Sequence, residues 1–436
     1  MSEVQAARTR QDIDAERLLA DLKALRAIGG RPDGGLDRLA FTPADLEGRR
    51  WYASRLRDAG LDTWTDPALN VFGRMPGSRG PWLLAGSHLD TVPAGGWLDG
   101  AYGAVAALEV LRSLHEARDP AADRLEVVGF SDEEGVRFGG GIFGSQALCG
   151  ELDLESLRTG RDWKGNPIEY LLQEAGVEPR RLSEAASHLS EVFAYLELHI
   201  EQGPRMEAAG IDLTVVEGIV GIHRHRLTVT GEQNHAGTTP FGRRRDAGRV
   251  AARAAGTFRE VALGIDRGVV GNIGSMRFHP GGVNVVPGRA EFDLEVRHPD
   301  EAVIESVVKA FIDRVREIAA EDGCSLGVEA RSQVPPAPMD HGLMATVERA
   351  CVSLGHSTKR LWSYAGHDAS VLSGHAPAAM IFVPSRQGIS HAPGEDTDEE
   401  HLVLGARALL RSIKAVLADG SRVTGGGAGA SGNLSD

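Results

Sequence analysis

Residues 127–141, VVGFSDEEGVRFGGG, run an apolar stretch that reads as a buried strand straight into three adjacent carboxylates, Asp132, Glu133 and Glu134. Neighbouring carboxylates repel one another and are costly to bury unpaired. A solvated turn is the ordinary reading of such a cluster. The sharper reading is that something positively charged sits where the strand ends.

Working outward from there, WLLAGS (82–87), LEVVGF (125–130), FAYLELHI (193–200) and AAMIFV (378–383) are further strand candidates, and helical periodicity is visible over 46–60, 101–116, 341–354 and 399–417. Strands alternating with helices predict an α/β fold, a mixed but mostly parallel sheet covered by helices on both faces. Each of the four strands runs into His, Asp or Glu: His88 and Asp90 after the first, with Asp99 before a glycine-rich helix start; Asp132, Glu133 and Glu134 after the second; His199 and Glu201 at the third; His391 and Glu395 after the fourth. Open α/β sheets gather functional groups at the carboxyl ends of their strands.

A lone histidine among 15 is ordinarily a surface or satisfied core residue. Four strand-end clusters of nitrogen and oxygen donors without thiolate point instead to a metal site suited to Zn²⁺, Mn²⁺ or Co²⁺. Two such ions joined by one carboxylate would hold a water and lower its pKa toward neutrality. Side chains of successive residues at a strand end point in different directions, so Glu133 and Glu134 can take different tasks, one as ligand and one as general base.

Residues 220–332 follow a different order, β-α-β-β-α-β, which reads as a two-layer ferredoxin-like α+β unit inserted into the larger domain. The expected organisation is therefore 1–219 and 333–418 as one catalytic domain, 220–332 as the insert, and 419–436 as a Gly/Ser-rich disordered tail. The net charge, 47 − 61 = −14, argues against nucleic acid and anionic membrane surfaces as partners. No run approaches the ~20 apolar residues of a membrane span, and the first 22 residues lack the apolar core of a secretory signal. Three separated cysteines, Cys149, Cys324 and Cys351, make neither a disulfide framework nor a zinc ribbon, so a cytoplasmic setting is expected.

Taken together, GSHLDTVPAGGWLDGAYG, SDEEGVRFGGGIFGS, LHIEQGP, NHAGTTP, GGVNVVPG, AGHDA and GISHAPGE resemble the dinuclear-metal amidohydrolases of the hydantoinase/carbamoylase family, relatives of metallo-aminoacylases and carboxypeptidases. The resemblance spans residues 28 to 417. It implies a metallo-exopeptidase-like fold, an inserted lid and dimerisation domain, a homodimer, and two divalent ions per subunit. Asp99 would bridge the ions, with His88 and His199 completing one and Glu134 and His391 the other. Glu133 would be the general base, Asp90 would orient His88, and His235 would stabilise the oxyanion in its own or the partner subunit's site.

The same resemblance assigns Gln202, Arg244, Asn284, Arg297 and His367 to the substrate, with Arg297 and Asn284 on its carboxylate. Glu201 is left between a ligand and a loop hydrogen-bonding role. Phe241 departs from the methionine common in the family. The implied substrate is a small carboxylate-bearing ureido or amide compound. The first reading is an N-carbamoyl-L-amino acid hydrolysed to the amino acid, CO₂ and NH₃; the alternatives are allantoate, or the substrate of a β-ureidopropionase or N-acyl-amino-acid amidase.

Overall fold

The computed structural model describes residues Asp12–Asp419, so all but the first residue of the tail expected at 419–436 lies outside the described residues. The described chain separates into two compact units. The first comprises residues up to Glu217, Pro338–Leu361 and the chain from Gly366 onward; the second is Gly218–Ala337 with Trp362–Ala365.

The first unit holds most of a nine-stranded sheet. Seven of its strands lie in the order Asp62–Thr65, Val71–Arg74, Leu125–Phe130, Trp82–His88, Val192–Ile200, Ala378–Val383, Leu213–Ile219. The four in the middle, Leu125–Phe130 to Ala378–Val383, are mutually parallel, and the outer ones join antiparallel. Those four are the apolar runs read from the sequence. Almost every residue in them is buried, as parallel strands covered on both faces require. Helix Ala101–Glu116 buries 14 of its residues, and Glu399–Ala418 and Pro43–Asp58 supply further cover. Local signals set the helix starts: Thr42 accepts from Asp45 N ahead of Pro43, and Asp14 and Asp340 cap theirs in the same way.

The second unit has a four-stranded antiparallel sheet in the order Ser325–Val334, Gly221–Thr230, Arg289–His298, Val270–His279. Helices Ala247–Ile265 and Glu301–Glu321 pack on it through Leu227, Val229, Phe258, Phe292, Leu294 and Phe311. In chain order this is β-α-β-β-α-β. Strand Arg289–His298 alternates buried and half-exposed residues, one face to the helices and one open. The unit also takes in Trp362–Ala365, where Ser363 O accepts from Val220 N at 2.9 Å and the Tyr364 hydroxyl donates to Gly268 O at 2.8 Å. No local signal in the sequence separates that short segment from its neighbours.

Candidate metal centre and catalytic site

Parallel register brings the strand ends to one edge: His88 stands opposite Phe130, and His199 opposite Phe382. All four loops leaving that edge contain a non-glycine residue at positive φ, among them Ala94 (50°), Asp132 (48°), Gln202 (58°) and His391 (55°). Such conformations are strained, and they persist only where the surroundings hold them. Gly100, with φ 63°, starts helix Ala101–Glu116; a Cβ there would meet the His88 ring at 2.3 Å. Glycine is required at that point, directly after Asp99.

Asp99 is the hub. Its Oδ1 lies 3.1 Å from His199 Nε2 and 3.6 Å from His88 Nε2; its Oδ2 lies 3.0 Å from His391 Nε2 and accepts from Gln202 Nε2 at 2.8 Å. Glu134 Oε2 is 3.4 Å from His391 Nε2, and Glu133 Oε2 is 3.8 Å from His88 Nε2. The donor atoms of His88, Asp99 and His199 lie within 4.8 Å of one another, as do those of Asp99, Glu134 and His391. The two triads share Asp99. A third grouping, Glu197, His199 and His367, is also this compact, but Glu197 is already bonded to Ser87 Oγ at 2.7 Å and Ala369 N at 3.0 Å.

The donor chemistry fits cations. His88 Nδ1 is 3.2 Å from Asp90 O, so a neutral ring donating there turns its Nε2 lone pair toward Asp99; His199 Nδ1 is likewise 2.9 Å from Ile200 O, and its Nε2 accepts from Gly100 N at 3.1 Å. The His88 lone pair faces an Asp99 oxygen at 3.6 Å, and the two repel unless positive charge lies between them. Glu134 Oε1 is buried with no hydrogen-bond partner, an acceptor without a donor.

Without a cation, protons supply the positive charge. Burial raises Asp99, but the His199, His391 and His88 imidazoles outweigh it and hold the carboxyl well below the usual range. Asp99 in turn lifts His391 to about 9. Burial, then the charge of Asp99, pushes Glu134 up to about 8. Burial also holds Glu133 well above the usual carboxylate range; the repulsion of Glu134, Asp368 and Asp99 adds to it, and His88 opposes it.

Asp90 does more than face a histidine. Its carboxylate is 3.6 Å from His88 Nδ1, and it also accepts from Glu133 N at 3.2 Å and Glu134 N at 3.3 Å, tying two strand ends together. Glu201 hydrogen-bonds within its own loop, accepting from Arg205 N (3.1 Å), Arg205 Nε (3.0 Å) and Met206 N (2.8 Å). His367 is buried with its ring edge-on to His199, centroids 4.5 Å apart. Glu395, whose part no spacing in the sequence announces, accepts from Leu98 N and Asp99 N and from Ser390 Oγ.

His235, Asn284, Arg244 and Arg297 lie in the second unit. A two-residue pairing sets His235 opposite Val285, and Ala236 N donates to Asn284 O at 2.9 Å, so these residues meet across about 50 positions of chain. His235 Nδ1 accepts from Gly237 N (3.0 Å) and Thr238 N (3.2 Å), which places the proton of the neutral ring on Nε2. Arg244 donates to Ala236 O and Thr239 O and stacks on Phe241, clamping that same loop. Arg297 donates through Nε to Glu295 and through Nη1 to Tyr364 O, both at 2.7 Å.

Residues 84–415 match the sequence model of Peptidase family M20/M25/M40. An N-carbamoyl-L-amino acid amidohydrolase of Geobacillus stearothermophilus is 38% identical over 403 residues, 92% of this chain and 98% of that protein. Allantoate amidohydrolase of Bacillus subtilis is 33% identical over 406 residues, 92% and 97%. The crystal structure of a hydantoinase/carbamoylase-family amidase from Burkholderia multivorans aligns with TM-score 0.80 at 34% identity, covering 92% of this chain and 98% of that one.

Proposed function

Because the chain belongs to the M20/M25/M40 family of metal-dependent hydrolases, we propose that it cleaves the linear C–N bond of an N-carbamoyl-L-amino acid. The products are the amino acid and carbamate, which breaks down to CO₂ and ammonia. The observation that supports this reading is the pair of donor triads sharing Asp99, with Glu133 at their edge.

His88, Asp99 and His199 would hold one divalent ion, and Asp99, Glu134 and His391 a second; zinc, manganese and cobalt all suit that donor set. When bound, such ions acidify water and polarise a carbonyl oxygen. Glu133 takes a proton from the attacking water and returns it to the departing nitrogen. Its own backbone is held by Asp90, so its position follows that of His88. His235, a Nε2–H donor, stabilises the oxyanion, in its own or the partner subunit's site.

Arg297 and Asn284 take the substrate carboxylate, for which a guanidinium suits by shape and charge. Gln202, whose Oε1 has no partner, takes the substrate's amide end. His367 orients His199 through their ring contact, and Arg244 supports the His235 loop. The second unit, Gly218–Ala337 with Trp362–Ala365, acts as lid and dimerisation domain of a cytoplasmic homodimer.

The test is ammonia release by metal-loaded protein from N-carbamoyl-L-methionine and from allantoate. Faster turnover of the carbamoyl compound supports the reading. Turnover of allantoate alone moves the assignment to the second relative's substrate, and turnover of neither rejects both.

A further inference from the structure

Asp368 and Ser145 stand outside both donor triads, 223 residues apart, and meet inside the first unit. Ser145 Oγ lies 2.6 Å from Asp368 Oδ1 and 3.3 Å from Ile142 O. Asp368 is 0% exposed, and its Oδ2 has no hydrogen-bond partner. A carboxylate stripped of water needs donors for both oxygens, and the full charge on an orphaned oxygen is costly. A neutral acid removes the conflict. Its hydroxyl donates to Ser145 Oγ, the Ser145 proton passes on to Ile142 O, and the remaining Asp368 oxygen carries only a carbonyl's partial charge. Burial, reinforced by neighbouring Glu197, pushes Asp368 well above the usual carboxylate range, in the same direction.

The chain of bonds leads to Glu133. Ile142 N donates to Glu133 O (2.8 Å), Phe143 N to Asp132 O (3.0 Å) and Gly144 N to Ser131 O (2.7 Å). The start of helix Phe143–Cys149 is thus fastened to the backbone of all three residues that follow strand Leu125–Phe130. Ile142 sits at φ 60°, a conformation an isoleucine keeps only under restraint. Ser145, in the first turn of that helix, ties it to Asp368, while Gly144 O accepts from Asn70 Nδ2 at 2.9 Å on the other side.

We infer that Asp368 is a positioning residue: as a neutral acid bonded to Ser145, it anchors the helix start that holds the Glu133 backbone in place. This rests on Glu133 being the proton carrier of the proposed reaction.

The experiment compares Ser145→Ala, Asp368→Ala, Asp368→Asn and the Ser145→Ala/Asp368→Ala pair in metal-loaded full-length protein. Asparagine, whose amide donates to Ser145 as a neutral acid does, keeps most of the wild-type kcat. Each alanine variant loses roughly 10²-fold in kcat, the cost of a small misplacement of a catalytic group, with KM and metal content little changed. The double variant is no slower than either single one, because both break the same link. Where Asp368→Ala fails to fold, Ser145→Ala and Asp368→Asn decide. Wild-type kcat in Ser145→Ala, or Asp368→Asn as slow as an alanine variant, overturns the inference. An infrared difference spectrum between wild type and Asp368→Asn reads the acid without any substrate. A protonated-carboxyl band supports the inference, and a carboxylate band overturns it, whatever becomes of the proposed reaction.

Discussion

Glu395 Oε1 accepts the backbone N–H of Asp99 at 3.0 Å, while the Asp99 side chain faces three imidazoles. The hub of the centre is therefore aimed by a carboxylate 296 residues away in sequence. Removing that carboxylate in Glu395→Ala leaves the N–H groups of Leu98 and Asp99 buried without an acceptor, each costing about 1–3 kcal/mol. Metal affinity should fall about 10–100-fold, as it does when partners of ligands are lost. Titration calorimetry of the metal-free variant checks this; unchanged affinity would show that Asp99 holds its place alone.

Glu133→Gln keeps the shape of the side chain and removes its basicity. Both metal sites should fill normally while kcat drops about 10²–10⁴-fold, the usual contribution of a general acid–base group. Metal analysis and single-turnover kinetics on the same sample separate the two. Near-normal turnover would remove Glu133 from proton transfer.

Gly100→Ala confronts two obstacles, a φ of 63° and a methyl group 2.3 Å from the His88 ring. Either Asp99 or His88 must move. The expected result is loss of metal from the His88, Asp99 and His199 side and a lower Tm. A variant that binds two ions with wild-type affinity would contradict the geometry.

Metal uptake should expel protons. In the metal-free protein His391 holds its proton up to about 9 and Glu134 up to about 8, and both must be bare to coordinate an ion. Raising the pH from 7 through about 9 removes the competing protons, so affinity rises across that window and levels off above it. Calorimetry at pH 7 in buffers of different ionisation enthalpy measures the release. A value below one proton per chain would place the charge elsewhere. The metal also binds only the folded state, so chelation should lower Tm.

The cysteines should differ in reactivity. Burial pushes Cys149 and Cys351 to about 12, which leaves roughly 10⁻⁴ of either as thiolate at pH 8. Cys324, only half-buried, should be labelled first by a disulfide reagent, and the other two only after unfolding. Three equally fast thiols in the native protein would contradict this.

Much of the architecture is legible in the chain because its signals are local. Apolar runs of six to nine residues mark strands buried on both faces; the first ends on His88, the third carries His199 one residue before its end, and the loops after the other two carry Glu133, Glu134 and His391. The β-α-β-β-α-β order of residues 220–332 is equally local, since period and turn chemistry are properties of neighbouring residues. The boundaries of the second unit shift by a few residues, and Trp362–Ala365 joins it across a gap of chain, for which nothing in its own composition prepares.

By itself, then, the sequence determined which residues stand at strand ends and which chemistry they offer, because strand formation and side-chain alternation depend on short-range periodicity. Which of those groups meet was decided only by the tertiary structure. Parallel register set His88, Glu134, His199 and His391 around Asp99, and the loop at Glu395 folded back to hold Asp99 from behind. Asp368 is the clearest case: as letters in AGHDA it is a charged residue, and only complete burial beside Ser145, with one oxygen left bare, makes it a neutral acid. Burial and long-range partnership are properties of the packed chain, and no local pattern encodes them.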